Sequence, residues 1–330
     1  MSLRAFKLPA DLRVAVKIIP ATFQYPENEA WSVQSDEKEE FIDTMNRVRR
    51  LWPVFGFAQL VSPALRDVFL GHVWEEDGQP VGMINFQRRG TTDTWYISNV
   101  GVLPNYRRQG IARKLVQVSL DLIRERGGKI VLLDVIAGNL PAYTLYEQLG
   151  FEHFSGSVKL SYQPDKAPPN PPLPDGYTIA PLSFFDWHTH YELEQRITPA
   201  DIQKYEPVEV GRFRQPRLMR PLLPLVRIAS GTRAKEITIR TAKQGRIVGQ
   251  AGYEVRVRPG GVNHIDMRLD PAHEQLAPYL VQHLLNTALQ LSPGRRIESK
   301  VPQWQAPVIA AAYGAGFMKR YEFHRMGIAL

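Results

Sequence analysis

The sequence of 330 residues contains no cysteine. This absence excludes disulfide bridges, a thiol nucleophile and thiolate metal ligands, and it fits a reducing compartment. The chain also has no uninterrupted apolar run of the ~18–20 residues that a membrane helix needs. Its first residues lack the apolar core of a secretory signal peptide. We therefore expect a cytoplasmic protein that has no membrane partner and binds no metal.

Acidic charge is the scarcer sign, with 33 aspartates and glutamates against 41 lysines and arginines and a net charge of +8. A basic chain can bind nucleic acid, an acidic membrane or a polyanionic small molecule, although a solvated basic surface gives the same balance. The most basic stretch, residues 212–220, continues in Arg227, Arg233 and Lys235. Aromatic residues are scarce within it, unlike in surfaces that stack single-stranded nucleic acid. We expect no nucleic-acid partner and interpret the stretch as a solvated flank or an inter-domain contact, with a docking site for an acidic acceptor as the alternative.

The first part of the chain mixes strand-like and helix-like patterns. Positions 12–19 are rich in β-branched residues and stop at a proline, which predicts a first strand. A helix is predicted from Ser35 to Pro53, because residues 36–40 load its first turn with negative charge. A second helix is predicted between Ala58 and Phe69.

The following stretch alternates strands and helices in an order that defines the fold class. Three strands joined by short turns come first, then a helix, an almost wholly apolar strand, a short helix and a last strand. Short turns predict antiparallel pairing, whereas the strand–helix–strand passage predicts a parallel pair. The predicted fold is therefore mixed α+β, a mostly antiparallel sheet with a parallel βαβ core. In chain order the segments are residues 71–75, 80–88, 94–103, 110–126, 129–136, 139–150 and 151–162.

The second half of the chain repeats the first. Two short segments of the first half recur in the second half at the same separation in residue number, and a third recurs at a separation shorter by one residue. Several matches in one register indicate a tandem duplication. The matched pairs are Gly78-Gln-Pro-Val-Gly82 with Gly245-Arg-Ile-Val-Gly249, Pro104 with Pro271, and Gly150-Phe151 with Gly316-Phe317. We predict two domains, residues 1–162 and 177–330, joined by an extended, proline-rich connector at residues 163–176.

A tight basic turn joins the strand at 94–103 to the following helix. Arg107 and Arg108 precede Gly110, and apolar residues then recur at helical spacing. A helix N-terminus has unpaired N–H groups and about half a positive charge, so it binds anions such as phosphate. Gly110 removes the side chain where backbone approaches a ligand. The turn is therefore predicted to cradle an anion with the N–H groups from Arg108 to Ala112.

The same turn resembles the coenzyme A signature of the GCN5-related N-acetyltransferases, the GNAT superfamily. The core of that signature is Arg/Gln-x-x-Gly-x-Gly/Ala, and Arg107, Gly110 and Ala112 occupy its three defined positions. Further on, the segment from Asn139 to Phe151 is similar to the other part of the signature. A short glycine pattern is weak alone, but both segments stand on the strand–helix–strand–helix order of the family. The resemblance covers residues 10–162 well and the second half by pattern only.

The resemblance implies two tandem GNAT-like domains, each with a splayed strand pair, and acetyl-CoA as the co-substrate. It also implies that the strand before the turn pairs its backbone with the pantetheine arm. Asn139 either contacts that arm or caps the helix that begins beside it. The residues that the resemblance assigns to acetyl-CoA are Val100, Gly101, Val102, Arg107, Arg108, Gln109, Gly110, Ile111, Ala112, Asn139 and Tyr146.

The resemblance makes Tyr146 the acid that protonates the sulfur of coenzyme A. A phenol with a pKa near ~10 keeps its proton at neutral pH and can donate it, and an aromatic packed on the inner face of a short helix is the alternative. The general base is left open. Many members of the family carry a glutamate on the strand before the turn, where this chain has Tyr96-Ile-Ser-Asn99. Asp134 is either a base or a buried, paired carboxylate.

The second copy of the signature has decayed. An anionic residue stands where a phosphate site needs positive charge, and larger side chains crowd the turn. We therefore expect this half not to bind acetyl-CoA and instead to help form a cleft for the acceptor substrate. The replacements are Glu274 for Arg107, Ala277 for Gly110, Tyr279 for Ala112, Gln305 for Asn139 and Ala312 for Tyr146.

These observations predict an acyltransferase whose N-terminal domain transfers acetyl from acetyl-CoA directly to a primary amine. The acceptor is expected to be a small molecule, because two-domain members of the superfamily include enzymes that act on small metabolites. The alternatives are a protein or peptide amine as the acceptor, and a non-catalytic scaffold that binds acyl-CoA. The chain is expected to be a monomer or a homodimer.

Overall fold

The computed structural model describes residues 2–61, 66–164, 169, 171–183, 186–214 and 231–330. Its twelve strands form one continuous mixed sheet against which the helices pack. The strands are β1 Ser2–Ala5, β2 Leu70–Glu76, β3 Gln79–Arg88, β4 Thr94–Val102, β5 Ile130–Ile136, β6 Glu152–Tyr162, β7 Tyr177–Leu182, β8 Thr232–Thr241, β9 Ile247–Arg256, β10 Asn263–Leu269, β11 Ile297–Pro302 and β12 Met318–Ala329.

The α-helices alternate with these strands in both halves of the chain. Within the described ranges, none of them is both long and apolar enough to span a bilayer. They are α1 Leu12–Thr22, α2 Ser35–Arg50, α3 Trp52–Val61, α4 Ile111–Glu125, α5 Leu140–Glu147, α6 Trp187–Ile197, α7 Ala200–Gln203, α8 Val210–Phe213, α9 Ala277–Leu291 and α10 Ala306–Gly314.

The strand order is symmetric about the centre of the sheet. It reads β1-β2-β3-β4-β5-β12-β6-β11-β10-β9-β8-β7, so each repeat contributes five strands that run inward from one edge. At the centre, β12 lies between β5 and β6, and β6 lies between β12 and β11. The last strand of each repeat therefore completes the strand series of the other. The mixed α+β class and the tandem architecture are confirmed, whereas this exchange was not predicted.

The exchanged strands are held by long antiparallel ladders. Residues 323–329 of β12 pair with residues 130–136 of β5. On its other side, β12 pairs over residues 318–327 with residues 152–161 of β6. Met326 of β12 is 1% exposed and lies in the hydrophobic core of the first half. The boundaries at residues 162 and 177 stay a prediction about the chain, since in space β12 packs with the first repeat.

Deletion of residues 318–330, which are β12 and the final residue, is expected to unfold the first half together with the second. The deletion leaves backbone N–H and C=O groups of β5 and β6 at the centre of the sheet without partners. We expect the free energy lost to be comparable to the net stability of a whole domain, ~5–15 kcal/mol. Thermal unfolding followed by circular dichroism measures the effect. Deletion of the edge strand β1 is the matched control and is expected to leave a cooperative transition. A chain without β12 that melts as cooperatively as the intact protein contradicts the exchange.

The helix after the predicted basic turn is confirmed as α4. Its buried face includes Ile111, Leu115 and Ile123, which pack in the core of the first half. α9 takes the equivalent place in the second half and buries Leu280 and Leu284 in the other core. Each repeat thus covers its part of the sheet with one long amphipathic helix.

The strand predicted over residues 12–19 is wrong, because this segment is α1. One face of α1 packs against Met83 of β3 at helical spacing. The β-branched content was misleading, since tertiary packing of an apolar stripe outweighs the strand preference of single residues. The proline at position 20 falls in the last turn, where the helix ends at Thr22. The buried apolar residues of that face are Leu12, Ala15, Ile18 and Ile19.

The helix predicted over residues 35–53 is confirmed as α2, with its end at Arg50. The helix predicted between positions 58 and 69 begins earlier, because α3 starts at Trp52. Residues 62–65 of that prediction lie outside the described ranges, as do residues 165–168 and 170 of the predicted connector.

The acidic face of α2 docks on arginines of the second half. The guanidinium groups are at most 7% exposed, so each needs the carboxylate that meets it. The pairs are Asp36–Arg296 at 2.7 Å, Glu37–Arg320 at 2.7 Å and Glu40–Arg256 at 3.4 Å. The negative charge predicted to favour the start of the helix therefore also fastens α2 to the other repeat.

Candidate functional site

β4 and β5 separate partway along their length. Their parallel pairing joins residues 94–97 to residues 130–133 and then stops. A β-bulge interrupts the β3–β4 ladder at the same level. In the described structure, residues 98–102 of β4 have no strand partner on the β5 side. On that side the Val102 carbonyl accepts from the Arg107 side chain, and the other backbone groups of residues 98–102 are available to a ligand. The predicted splayed strand pair is confirmed.

The turn after β4 holds two residues in the left-handed region. Arg108 has a φ of 60° and Gly110 a φ of 78°, and α4 begins at Ile111. N–H groups of such a turn converge on an anion site at the positive end of the helix. A Cβ at Gly110 would meet no atom within 4 Å, so the space beside the turn is open. This backbone has the geometry of an anion site.

Arg107 turns its guanidinium inward. Its Nε donates to the carbonyl of Val102 at 3.2 Å, and its Nη2 donates to the carbonyl of Thr22 at 3.0 Å. The side chain therefore fastens the turn to β4 and α1, although Arg107 as a whole is exposed, as are the neighbouring Arg108 and Gln109.

A cavity of ≈ 310 Å³ lies in the opening between β4 and β5. Val100, Asn139 and Tyr146, three of the predicted residues, line it together. Gly101 and Val102 are buried where β4 continues toward the turn. The structure therefore lines up the predicted residues along β4, from the cavity at one end to the residues of the turn, 107–112, at the other.

Part of the cavity wall comes from the second half of the chain. Lys300 of β11 and two residues of β12, Tyr321 and Phe323, line it. Sequence reasoning expected this half to help form a cleft but did not name these residues, because the exchange of β12 has no local signal. Tyr25 and Trp31 of the first half also line the cavity, and their rings meet edge to face with centroids 5.7 Å apart.

Tyr146 is 7% exposed and packs edge to face with Phe151, with ring centroids 5.9 Å apart. Burial raises the pKa of Tyr146 well above its ordinary value, so the phenol keeps its proton at neutral pH. Asn139 caps α5, since its side chain accepts from the N–H of Ala142 at 3.3 Å. Its amide also donates to the Tyr25 hydroxyl at 3.3 Å. Both readings of Tyr146, as core aromatic and as donor, are compatible with this position.

Asp134 is a buried, paired carboxylate. Arg325 of β12 donates to both of its oxygens, at 2.8 and 3.1 Å, and Lys300 donates at 2.6 Å. The Tyr96 hydroxyl completes the set at 3.0 Å. Burial alone would raise the pKa of Asp134, but Arg325 and Lys300 outweigh it and hold the pKa far below its ordinary value. A carboxylate that is so strongly held in its charged form is a poor general base.

The network extends from Asp134 to a second carboxylate. Arg325 also donates to Glu206 at 2.7 Å, and Arg89 and Arg212 pair with the same residue at 2.6 and 3.1 Å. Burial opposes ionisation of Glu206, but the three arginines lower its pKa to about 2. Arg212, from the basic stretch, is therefore an internal contact of the fold. Residues 215–230 of that stretch lie outside the described ranges.

The second half has a splayed strand pair of its own, but a side chain fills it. β10 and β11 pair only at residues 263–264 and 297–298. The amide of Gln305 accepts from the N–H of Leu269 at 3.0 Å and donates to its carbonyl at 2.9 Å. Leu269 is the counterpart of Val102 in the repeat, and Gln305 is 1% exposed. In the first half Arg107 engages the carbonyl at this position, whereas in the second half Gln305 occupies both the carbonyl and the N–H.

Comparisons with known proteins agree with this geometry. Residues 29–151 match the acetyltransferase (GNAT) family. The chain is 34% identical over 138 residues to N-alpha-acetyltransferase 30 of Schizosaccharomyces pombe, a match that covers 41% of this chain and 83% of the relative. It is 38% identical over 66 residues to the ribosomal protein bS18-alanine N-acetyltransferase of Escherichia coli, covering 20% and 43%. It is also 28% identical over 165 residues to mycothiol acetyltransferase of Thermomonospora curvata, covering 49% and 47%.

A solved structure reproduces the fold over nearly the whole length. A tandem GNAT protein from the clavulanic acid biosynthesis pathway aligns with a TM-score of 0.65 at 14% identity, over 99% of this chain and 98% of that chain. At this identity the likeness concerns the fold alone. The chain spans less than half the length of the bS18-alanine and mycothiol relatives. Taken with the splayed strands and the turn, the matches place the chain in the GNAT acetyltransferase family. It is an acyltransferase of the N-acetyltransferase kind, and the family uses acetyl-CoA.

Proposed function

We propose that the first half of the chain binds acetyl-CoA and transfers its acetyl group to the primary amine of a small molecule. The observation that carries the proposal is the open edge of β4, residues 98–102, which runs from the cavity to the turn at 107–112. The turn holds the phosphates with its N–H groups, and the edge of β4 pairs with the pantetheine arm.

Tyr146 is proposed as the proton donor of the reaction. Acetyl-CoA supplies the thioester, and attack of the amine on its carbonyl carbon releases the coenzyme A thiolate. Tyr146 gives its proton to that thiolate, because the phenol is protonated and lines the same cavity as Val100. The attacking nitrogen loses one proton as the amide forms, and the Tyr146 phenolate regains one from solvent, so the reaction balances. Asp134 does not serve as the base in this proposal, since Arg325 and Lys300 hold it as a paired carboxylate.

The chain is proposed to have one acetyl-CoA site. In the second half, Gln305 forms with Leu269 the two hydrogen bonds that a pantetheine arm needs from the strand edge. Glu274 adds a negative charge at the position that corresponds to Arg107. For acetyl-CoA to bind in the second half, the buried Gln305 amide must break its two hydrogen bonds with Leu269. Breaking them costs free energy, and binding in the first half has no such cost.

The small acceptor is favoured by how the cavity is walled. Lys300, Tyr321 and Phe323 wall it on the side of the second half. Arg320 donates to the carbonyl of Ser32 at 3.1 Å and to Glu37 at 2.7 Å, which fastens the segment that carries Trp31. A cavity of ≈ 310 Å³ between two fastened walls suits a small amine, whereas a peptide needs an open groove.

A peptide amine is the second candidate, because two of the relatives are named as an N-alpha-acetyltransferase and a ribosomal-protein alanine N-acetyltransferase. The test compares acetyl transfer from acetyl-CoA to a panel of small primary amines with transfer to peptides that carry the same amines on their first residue. We expect kcat/KM for the best small amine to exceed that for its peptide by about tenfold or more. Equal or higher rates with the peptides support the second candidate and contradict the first.

A further inference from the structure

The cavity borders an ion-pair network that contains more cationic than anionic side chains. Two carboxylates, Asp134 and Glu206, are joined by ion pairs to four cationic side chains. These cations are Lys300, Arg325, Arg89 and Arg212. The Asp134 carboxylate is shared, because Arg325 donates to both of its oxygens and Lys300 donates to one of them. With two carboxylates and four cations, the network as a whole keeps a positive surplus.

Of the four cations in this network, Lys300 is the one that lines the cavity. Among the described residues, Lys300 and Asp134 are the charged side chains that line it, and Asp134 is 3% exposed whereas Lys300 is 36% exposed. The Lys300 ammonium lies 4.0 Å from the centroid of the Phe323 ring, which also borders the cavity. One of its three N–H groups is used by Asp134 at 2.6 Å. The ammonium thus retains donors for a ligand in the cavity.

Lys300 of β11 reaches the cavity near the end of β4 that is farther from the phosphate turn, where the acceptor is expected. The phosphate turn lies beyond one end of β4, and pairing of β4 with β5 resumes at Ile97 and Leu133, toward the other end. Tyr96 and Asp134 line the cavity at that end. The Tyr96 hydroxyl donates to Asp134, which is the ion-pair partner of Lys300. An arm that enters from the turn therefore has its acyl group near this end, and the acceptor amine must meet it there.

We infer that the acceptor amine also carries a carboxylate, and that Lys300 binds this carboxylate. The inference rests on the proposed function, since it names the class of amine that the same cavity takes. Burial lowers the pKa of the Lys300 ammonium despite the pairing with Asp134, so an anion beside it relieves an unfavourable burial. The surplus positive charge also disfavours a protonated acceptor amine, and the neutral amine is the form that attacks a thioester. Lys300 is a specificity-determining residue in this reading.

The test compares L-amino acids with the corresponding L-amino acid amides as acceptors, because each pair differs in the carboxylate. For every pair, the ratio of kcat/KM for the acid to kcat/KM for the amide is measured in the wild type, in Lys300→Met and in Lys300→Arg. Methionine keeps the length of the side chain without its charge, and arginine keeps the charge. The ratio within one variant is insensitive to the fraction of protein that is folded, and intrinsic differences in amine reactivity cancel between variants.

We expect the ratio to fall by about 10- to 100-fold in Lys300→Met, mainly through KM for the acids, and to be largely kept in Lys300→Arg. A ratio that Lys300→Met leaves unchanged overturns the inference and leaves the acetyltransferase standing. Absence of acetyl transfer to both sets by the wild type is a different result, since it overturns the proposed small-amine function and the inference with it.

Discussion

Gly110→Asp is expected to abolish acetyl-CoA binding while the fold persists, with an increase in Kd of about a hundredfold or more. The residue lies in the turn proposed to hold the phosphates, and a carboxylate there places a negative charge in an anion site. Aspartate tolerates the left-handed conformation that Gly110 adopts, and the open space beside the turn accepts a side chain. Isothermal titration calorimetry measures the affinity, and thermal unfolding checks the fold.

Two controls separate charge from conformation and from position. Gly110→Asn has the same shape without the charge, and we expect it to lose less than about tenfold in affinity. Gly78→Asp introduces the same charge at a glycine with a φ of 74° and no neighbour within 4 Å of its Cβ. Gly78 lies in the β2–β3 turn, so this variant is expected to bind acetyl-CoA normally. Unaltered binding by Gly110→Asp would falsify the assignment of the turn as the phosphate site.

Tyr146→Phe is expected to lower kcat by about 10²–10⁴-fold, with the affinity for acetyl-CoA unchanged. The substitution removes one hydroxyl from a side chain whose ring stays packed on Phe151, so the loss reports the proton that Tyr146 donates. Because the pKa of Tyr146 lies above its ordinary value, the wild type is expected to keep its donor through neutral and moderately alkaline pH. Steady-state kinetics with the best acceptor measures kcat.

Tyr143→Phe is the matched control for this variant. Tyr143 lies on the same helix, α5, and its ring packs against His324 and His153 at 5.5 and 6.3 Å between centroids. It does not line the cavity among the residues described, so loss of its hydroxyl is expected to leave kcat unchanged. Equal kcat for Tyr146→Phe and the wild type means that Tyr146 is a packing residue and that another group protonates the thiolate.

The parts of the fold that have local signals could be predicted from the sequence. The turn at Gly110 and the amphipathic α4 follow from a glycine at a helix start and from helical periodicity. The duplication was visible because Gly78 and Gly245 hold equivalent hairpin turns, with φ values of 74° and 65°. These features depend on residues close together in the chain, so composition and spacing are sufficient to find them.

The features that were missed depend on partners far away in the chain. β12 has the alternation of an ordinary strand, and nothing in that pattern says that β5 rather than a strand of its own repeat lies beside it. For the same reason Lys300 could not be assigned to the cavity, nor Arg325 to Asp134. α1 was taken for a strand because its β-branched residues are judged locally, whereas burial against Met83 decided the outcome.

The sequence shows Gln305 in the decayed signature, but its hydrogen-bonding role could be identified only from the structure. The sequence shows that it replaces Asn139 of the first repeat. Only the fold shows that it forms strand-like hydrogen bonds with Leu269, on the edge that the first repeat leaves open. Decay of the second copy is therefore proposed to be a closure of the site by the chain itself, in addition to the loss of an arginine and a glycine.

The stoichiometry of acetyl-CoA binding tests the central claim, one working site per chain in the first half, most directly. Isothermal titration calorimetry of the intact chain is expected to give one molecule of acetyl-CoA per chain, and none in Gly110→Asp. Two equivalent sites per chain, or one site that persists in Gly110→Asp, contradicts the claim, because either result requires binding at the half that Gln305 closes.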